Sequence, residues 1–484
     1  MFFIPLILGA MQDDKEGYEL LLMEVELLKA YKSLPQEVNE LIASAQEMRD
    51  KGQYDIALVY LEEAVSIINI SFTGAGDGSQ EENFSFNLIS GVDYNRHEFE
   101  LGFSQSDSTL LDELTKPYIA LKTNYTPDNK LFLLQNVLRY DRENFQTELK
   151  VGKEKKFTST ALNMSIGAIY DRNYTYSYLG YSEYHADFNF KKTDYLSKWY
   201  WNMQNSTRLK KYNNQSETIP DFLRNSFSVY LIRNFGFLNN IQGSYNFDIN
   251  ESLDFSNNDF NEHSSGLKYQ QVFFDKLKII TDARHRYYTY QYSFIDTIKN
   301  TSLTYTAIPE ISYILNPALR FTLNYRMDFK TFKIKSEQEP DYISNYINPS
   351  VSINLNGNTS FNLGYVFDSR KHYTQQELDN QYIKDQDFRA DGVRATADYS
   401  GTNGLFVSFS TEYTFRRYPN SDTNGDFSIY SNRNILNILL FSQIPLTEKI
   451  SLGIIGSFDN DKDLDIDFND SVSSFFTLEF SYTF

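Results

Sequence analysis

From Asp282 to Arg416 the sequence sets charges of both signs at alternate positions of extended, otherwise apolar stretches. Asp282, Arg284, Arg286, Glu310, Arg320, Arg326, Asp328, Asp368, Arg394, Asp398, Glu412 and Arg416 all fall on this pattern. In one such stretch Leu319, Phe321, Leu323, Tyr325, Met327 and Phe329 alternate with Arg320, Thr322, Asn324, Arg326, Asp328 and Lys330. A period of two puts the apolar side chains on one face of a strand and the charges on the other. A wet face carrying both signs can orient a solute that passes through a pore. The plainer alternative is that the charges pair across strands and satisfy one another.

Other candidate chemistry is sparser. The stretch 459–470 carries Asp459, Asp461, Asp463, Asp465, Asp467 and Asp470, and Asp422, Asn424 and Asp426 form a second acidic cluster. Hard oxygen ligands suit Ca²⁺ or Mg²⁺, with Asp459, Asp461, Asp463 and Asp465 the nearest to a set. Neither cluster has the glycine and glutamate spacing of an EF-hand, so a solvated acidic loop is the simpler reading and no dedicated metal site is expected. The five histidines, His97, His185, His263, His285 and His372, include no HExxH. His263 lies near Ser264, Ser265 and Asp259, and His285 near Asp282, the residue types a membrane hydrolase would use. With no GxSxG and no phosphate-binding loop, the chain is read as a non-enzyme without a cofactor. There is no cysteine, hence no disulfide, thiolate or lipid-anchored cysteine. A net charge of −19 disfavours nucleic acid as a partner.

Strands must position these side chains. The chain of 484 residues has no apolar run long enough for a membrane-spanning helix, yet it holds 39 Phe and 37 Tyr against 2 Trp. A transmembrane β-barrel has this composition, because half of each strand faces lipid and half faces water. Phe476, Leu478, Phe480, Tyr482 and Phe484 alternate with Thr477, Glu479, Ser481 and Thr483 at the end of the sequence. Long polar connections are expected at roughly 459–471, 418–432, 371–386, 333–345, 292–300, 250–264 and 204–224. Short turns are expected between them, at 445–448, 400–404, 356–358, 316–317, 275–276 and 234–236. The sorting weakens toward the amino terminus, where short turns are read near 191–194, 151–155, 126–129 and at Asn95. The expected fold is mainly β, a large antiparallel barrel of 16–22 strands over residues 70–484. Pro309 should force a local bulge, and Tyr287, Tyr288, Tyr290 and Tyr292 should form an interfacial girdle.

Before the barrel, residues 1–12 read as a signal peptide or its remnant, MFFIPLILGA being apolar and ending in small residues. Residues 13–69 read as helical. Within them KGQYDIALVYLEEAV, with Ala45, Gly52, Tyr54, Ala57 and Ala64, resembles one tetratricopeptide repeat.

The amphipathic strand ending on Phe484 resembles the closing strand of bacterial outer-membrane barrels, where such a strand is read by the barrel assembly machinery. A helical repeat followed by a large barrel is similar to exopolysaccharide-export porins and surface-lipoprotein assembly modifiers. These resemblances imply an outer-membrane channel or export pore in a Gram-negative-type bacterium. The helices would lie in the periplasm and meet a protein partner, and lipid and lipopolysaccharide would surround the barrel. A plugged barrel anchoring a complex is the alternative, and a hydrolase the third.

Overall fold

The computed structural model describes residues 36–50, positions 57, 60, 61 and 64, and residues 84–484. Within the last range 104–105, 128–131, 158, 195–197, 215–218, 236–238, 254–258, 275, 294–296, 375–377, 402, 422–429 and 466–469 are excepted. The chain divides into two compact units, Met1–Glu82 with Thr193–Trp199, and Asn83–Lys192 with Tyr200–Phe484.

In the first unit α1 spans Gln36–Asp50. It buries Val38, Ile42 and Ala45. Ala57, Leu61 and Ala64 are helical and fully buried, a spacing of i, i+4, i+7 that gives one apolar stripe. Gly52 and Tyr54 of the expected repeat, and the whole signal-like segment, lie outside the described residues. A tetratricopeptide repeat is therefore not supported: the described helical residues of this unit are α1 and positions 57, 60, 61 and 64.

The second unit is built on twenty strands. They are β1 (Phe84–Phe103), β2 (Ser106–Tyr125), β3 (Leu133–Asp141), β4 (Asn144–Lys156), β5 (Thr160–Asn173), β6 (Tyr181–Asp194), β7 (Trp199–Tyr212), β8 (Phe222–Asn234), β9 (Asn240–Ser252) and β10 (Phe260–Phe273). There follow β11 (Leu277–Ser293), β12 (Thr297–Asn316), β13 (Leu319–Phe332), β14 (Tyr342–Asn354), β15 (Thr359–His372), β16 (Phe388–Ser400), β17 (Phe406–Arg417), β18 (Arg433–Pro445), β19 (Ile450–Asp463) and β20 (Ser471–Thr483). A short helix α2 (Asn380–Asp385) precedes β16. All twenty strands belong to one sheet. The sheet closes because β20 pairs with both β19 and β1, and the Phe484 N–H donates to the Phe86 carbonyl at 2.9 Å. Closure leaves no open edge, the condition for a sheet in lipid.

The connections sort by length, as the sequence implies. One end carries 213–221, 253–259, 333–341, 373–387, 418–432 and 464–470, and the other carries 235–239, 274–276, 317–318, 355–358, 401–405 and 446–449. Four expectations are corrected. The turns read at 151–155 and 191–194 fall inside β4 and β6, whose ladders with β5 reach Lys156 and Lys192. The 292–300 connection shrinks to 294–296, because β11 and β12 continue into it. Asn95 makes no turn. It sits mid-strand in β1, opposite Leu114 and Phe475. Pro309 makes no bulge. The β12–β13 ladder skips Ile308 and Pro309 and resumes in the same register, and the shift falls instead between Ile314 and Asn316. Pro349 interrupts β14–β15 in the same way, and Asn348 Nδ2 supplies the missing donor to the Tyr365 carbonyl at 2.8 Å.

The loop-rich end uses one device repeatedly. The residue just before the returning strand is an aspartate, and its carboxylate accepts the N–H of the outgoing strand's last residue. Asp221 takes Tyr212 N–H, Asp259 takes Ser252, Asp341 takes Phe332, Asp387 takes His372 and Asp470 takes Asp463, at 2.6–2.8 Å. A hydrogen bond to a charged acceptor contributes about 1.5–3 kcal/mol. Asp341→Ala should therefore loosen 333–341 by about that amount. Faster amide exchange confined to that loop and the end of β13, with the rest of the barrel unchanged, is the expected readout.

Candidate functional site

The two faces of the sheet differ in chemistry. The outer face presents Phe361, Leu363 and Tyr365 of β15, Phe321 and Leu323 of β13, and Phe476, Leu478 and Phe480 of β20, all exposed. Phe484 is likewise exposed. The face turned inward carries most of the charges, and the register shows it strand by strand. Arg284, Thr306, Asp328, Ser344, Arg370 and Phe388 stand in one row across β11 to β16. Arg326, Tyr346, Asp368, Ala390 and Arg416 form the next row, two residues on. Gly364, Arg394 and Glu412 form a deeper one, and Ser360, Asp398 and Ser408 another. Asp282, Arg286, Glu310 and Arg320 keep the same parity on β11, β12 and β13, so all twelve candidate charges share the inner face.

Their pairing differs from simple cross-strand matching. Arg284 binds Asp282 at 2.6 Å and Arg326 binds Asp328 at 2.7 Å, each two residues along its own strand. Residues i and i+2 point the same way in a strand, so a long arginine reaches its own neighbour. Arg286 does pair across strands, with Glu262 at 2.6 Å. Asp398 accepts from Ser408 Oγ at 2.6 Å.

Several inward residues are not among the candidates read from the sequence. Lys150 and Ser206 Oγ bind Asp187 at 3.2 and 2.8 Å, and Arg224 binds Asp248 at 3.0 Å. Lys210, Lys330 and Arg370 also face inward. The signal that finds some of them is a cation two residues before a ring, as in Lys210–Tyr212, Arg286–Tyr288 and Lys330–Phe332, which a strand places on one face. Phe260, Tyr288 and Tyr290 line a cavity of about 510 Å³ with Phe222 and Tyr212 at the loop-rich end. The four-tyrosine girdle is thereby corrected. Tyr287 is exposed on the outer face, while Tyr288 and Tyr290 stack at 5.1 Å on the inner one, because period two separates neighbours. The Tyr290 hydroxyl donates to Glu339, and the Tyr292 side chain lies outside the described residues.

The acidic stretch holds strand ends and a loop together. Asp461 binds Arg433 at 2.9 Å, Asp463 lies 3.6 Å from the same guanidinium and accepts from Ser431, and Asp465 accepts the Asn432 N–H at 2.8 Å. Among the described residues no group of three His, Asp or Glu side chains could hold a metal ion. Asp422, Asn424, Asp426 and Asp467 lie outside them. The histidine groupings do not converge. His263 packs against Tyr245, whose hydroxyl is 2.7 Å from Nδ1, and Phe247. His285 packs on Tyr305 at 4.9 Å, on the opposite face from Asp282. His372 is held by Asp387 at 2.9 Å.

Fold and wall together define a closed antiparallel barrel, apolar outside and polar within. Among the described residues no helix is long and apolar enough to cross a membrane, which says nothing of strands. No family model matches the chain, and no curated protein matches it in sequence. Among solved structures it is similar to the alcaligin outer-membrane receptor FauA from Bordetella pertussis, with a TM-score of 0.53 and 9% identity over 82% of this chain and 76% of that one. OccAB4 from Acinetobacter baumannii aligns at a TM-score of 0.42 and 11% identity, over 84% and 100%. OpdK from Pseudomonas aeruginosa aligns at 0.43 and 9%, over 83% and 100%. The likeness to FauA establishes the fold, a large closed antiparallel β-barrel of the kind that receptor has.

Proposed function

We propose that the chain is a channel of a Gram-negative-type outer membrane that passes a solute across it. The observation that carries this reading is the inner wall, where charges of both signs line a closed sheet of twenty strands. Barrels of about 16–18 strands leave an aqueous channel, and larger ones are wide enough to need a plug when they are closed. The exposed outer aromatics support lipid as the surrounding medium. On this reading Phe484 and the loop-poor connections face the periplasm. The helical segment is a periplasmic element that contacts a protein partner. Lipopolysaccharide borders the loop-rich end, and β20 serves as the strand read by the assembly machinery. Export of a polymer is the finer version of the same reading.

The test is conductance of the purified, refolded full chain in planar bilayers. Discrete, ohmic channel openings are expected. A correctly folded barrel that never conducts would remove the channel and favour a barrel that anchors a complex or displays loops.

A further inference from the structure

Cations and rings alternate on the inner wall near the loop-rich end. On one side Lys210 Nζ lies 3.5 Å from the Tyr181 ring centre, and the guanidinium groups of Arg224 and Arg286 lie 5.6 and 4.8 Å from those of Phe260 and Tyr288. The two arginines are matched there by Asp248 and Glu262.

The wall of β13 to β17 is different. Lys330 Nζ lies 4.6 Å over Phe332 and the Arg370 guanidinium 4.6 Å over Tyr342. Arg370 and Arg416 then share one ring, Phe388, at 5.4 and 4.7 Å. Arg394 lies deeper on the same face. None of Lys330, Arg370, Arg394 and Arg416 forms a salt bridge among the described residues.

The carboxylates nearby are mostly engaged elsewhere. Asp328 binds Arg326, Asp341 binds Lys335 at 2.7 Å, Asp387 binds His372, and Glu339 takes the Tyr290 hydroxyl and Asn300 Nδ2. Asp368 and Glu412 remain, two acids facing four bases. The Nε atoms of Arg370 and Arg416 are moreover buried without a hydrogen-bond partner. In a chain of net charge −19 this is a local surplus of positive charge with unused donors.

We propose that this part of the wall, centred on Arg370 and Arg416 around Phe388, binds a small organic anion through its carboxylate. A guanidinium presents parallel N–H groups that match a carboxylate, and a ring beneath it fixes its plane, so little side-chain freedom is lost on binding. Lys330 adds a third positive charge toward the loops, and Arg394 a fourth toward the opposite end. The proposal names the solute class of the channel suggested above and rests on that reading for passage, though not for binding.

The test uses the full chain purified in detergent, with benzoate and its neutral amide benzamide as probes in titration calorimetry, beside conductance in bilayers. Benzoate is expected to bind and benzamide not. Arg370→Gln with Arg416→Gln should weaken benzoate at least tenfold, while Arg96→Gln, on the outer face of β1 beside Glu98, should leave it unchanged. Arg370→Lys with Arg416→Lys keeps the charge but loses the fork, and an intermediate loss is expected even if the glutamine pair folds poorly. Equal binding of the two probes, or full benzoate affinity in both double variants, overturns the proposal. A silent barrel that still binds benzoate through these arginines would sink the channel and keep the site. A conducting barrel blind to benzoate would do the reverse.

Discussion

Leu478→Arg should prevent most of the chain from reaching a folded, membrane-inserted barrel. Leu478 stands in the middle of β20, opposite Val92 on β1 and Ile454 on β19, and is exposed on the outer face. If that face meets lipid, an arginine at mid-depth costs about 2–4 kcal/mol. The cost falls on the strand that completes the ring, so it opposes closure directly. The inner face sets the comparison. Gln443→Arg places the same charge on an exposed inward position of β18, where water is available, and should be close to neutral. The measurement is the yield of heat-modifiable, protease-resistant barrel from refolding into vesicles, with urea titration of whatever folds. Equal yields for the two variants would mean that the outer face does not meet a hydrocarbon interior.

Much of this contrast is legible in the sequence, because a strand's chemistry is local. Period two is visible residue by residue, so the inner and outer faces of β12, β13, β15 and β20 can be read without a structure. The sorting of connections follows for the same reason, since turns such as 317–318 and 355–358 are short and polar runs such as 418–432 are long. Strand ends are less legible. Asp459 to Asp463 look like a loop, yet they pair with Arg433 to Asn437, because a strand continues beyond the apolar band wherever its neighbour offers a ladder. The charge pairing on the inner wall is hidden for a different reason. Whether Arg326 takes its own strand's Asp328 or a carboxylate on the next strand depends on register and side-chain reach, which alternation leaves open. The aspartate that clasps each loop is hidden too. Asp221, Asp259, Asp341, Asp387 and Asp470 look like ordinary loop acids until the outgoing strand's last N–H is located.

Gly91→Val should be strongly damaging on the inner side, because it strikes where the first and last strands meet. Gly91 lies in β1 between Tyr118 of β2 and Glu479 of β20. Its missing side chain makes room for the Tyr118 ring, which crosses over β1 so that its hydroxyl donates to Glu479 at 2.9 Å. The ring is buried and carries the Arg139 guanidinium 4.2 Å above it. Arg139 binds Asp93 at 2.9 Å, and Asp93 accepts from Thr477 Oγ1 at 2.8 Å. Four strands are tied together by this set, with β1 at its centre. A Cβ at Gly91 would stand 2.6 Å from Tyr118 Cζ and 2.7 Å from the Leu478 carbonyl oxygen. The ring can swing away, but the carbonyl belongs to the closing ladder and cannot. Ordinary overpacking costs about 1–3 kcal/mol, and here the displaced ring also surrenders a hydrogen bond to a charged group worth about 1.5–3 kcal/mol. Tyr118→Phe removes only that hydrogen bond, so its loss should stay within the second figure. Gly91→Val combined with Tyr118→Ala separates the two causes. Because the Leu478 carbonyl still blocks the new side chain, the double variant should recover little of the lost stability in urea unfolding. Recovery to the level of Tyr118→Ala alone would show that the ring, and not the β1–β20 ladder, sets the requirement for glycine.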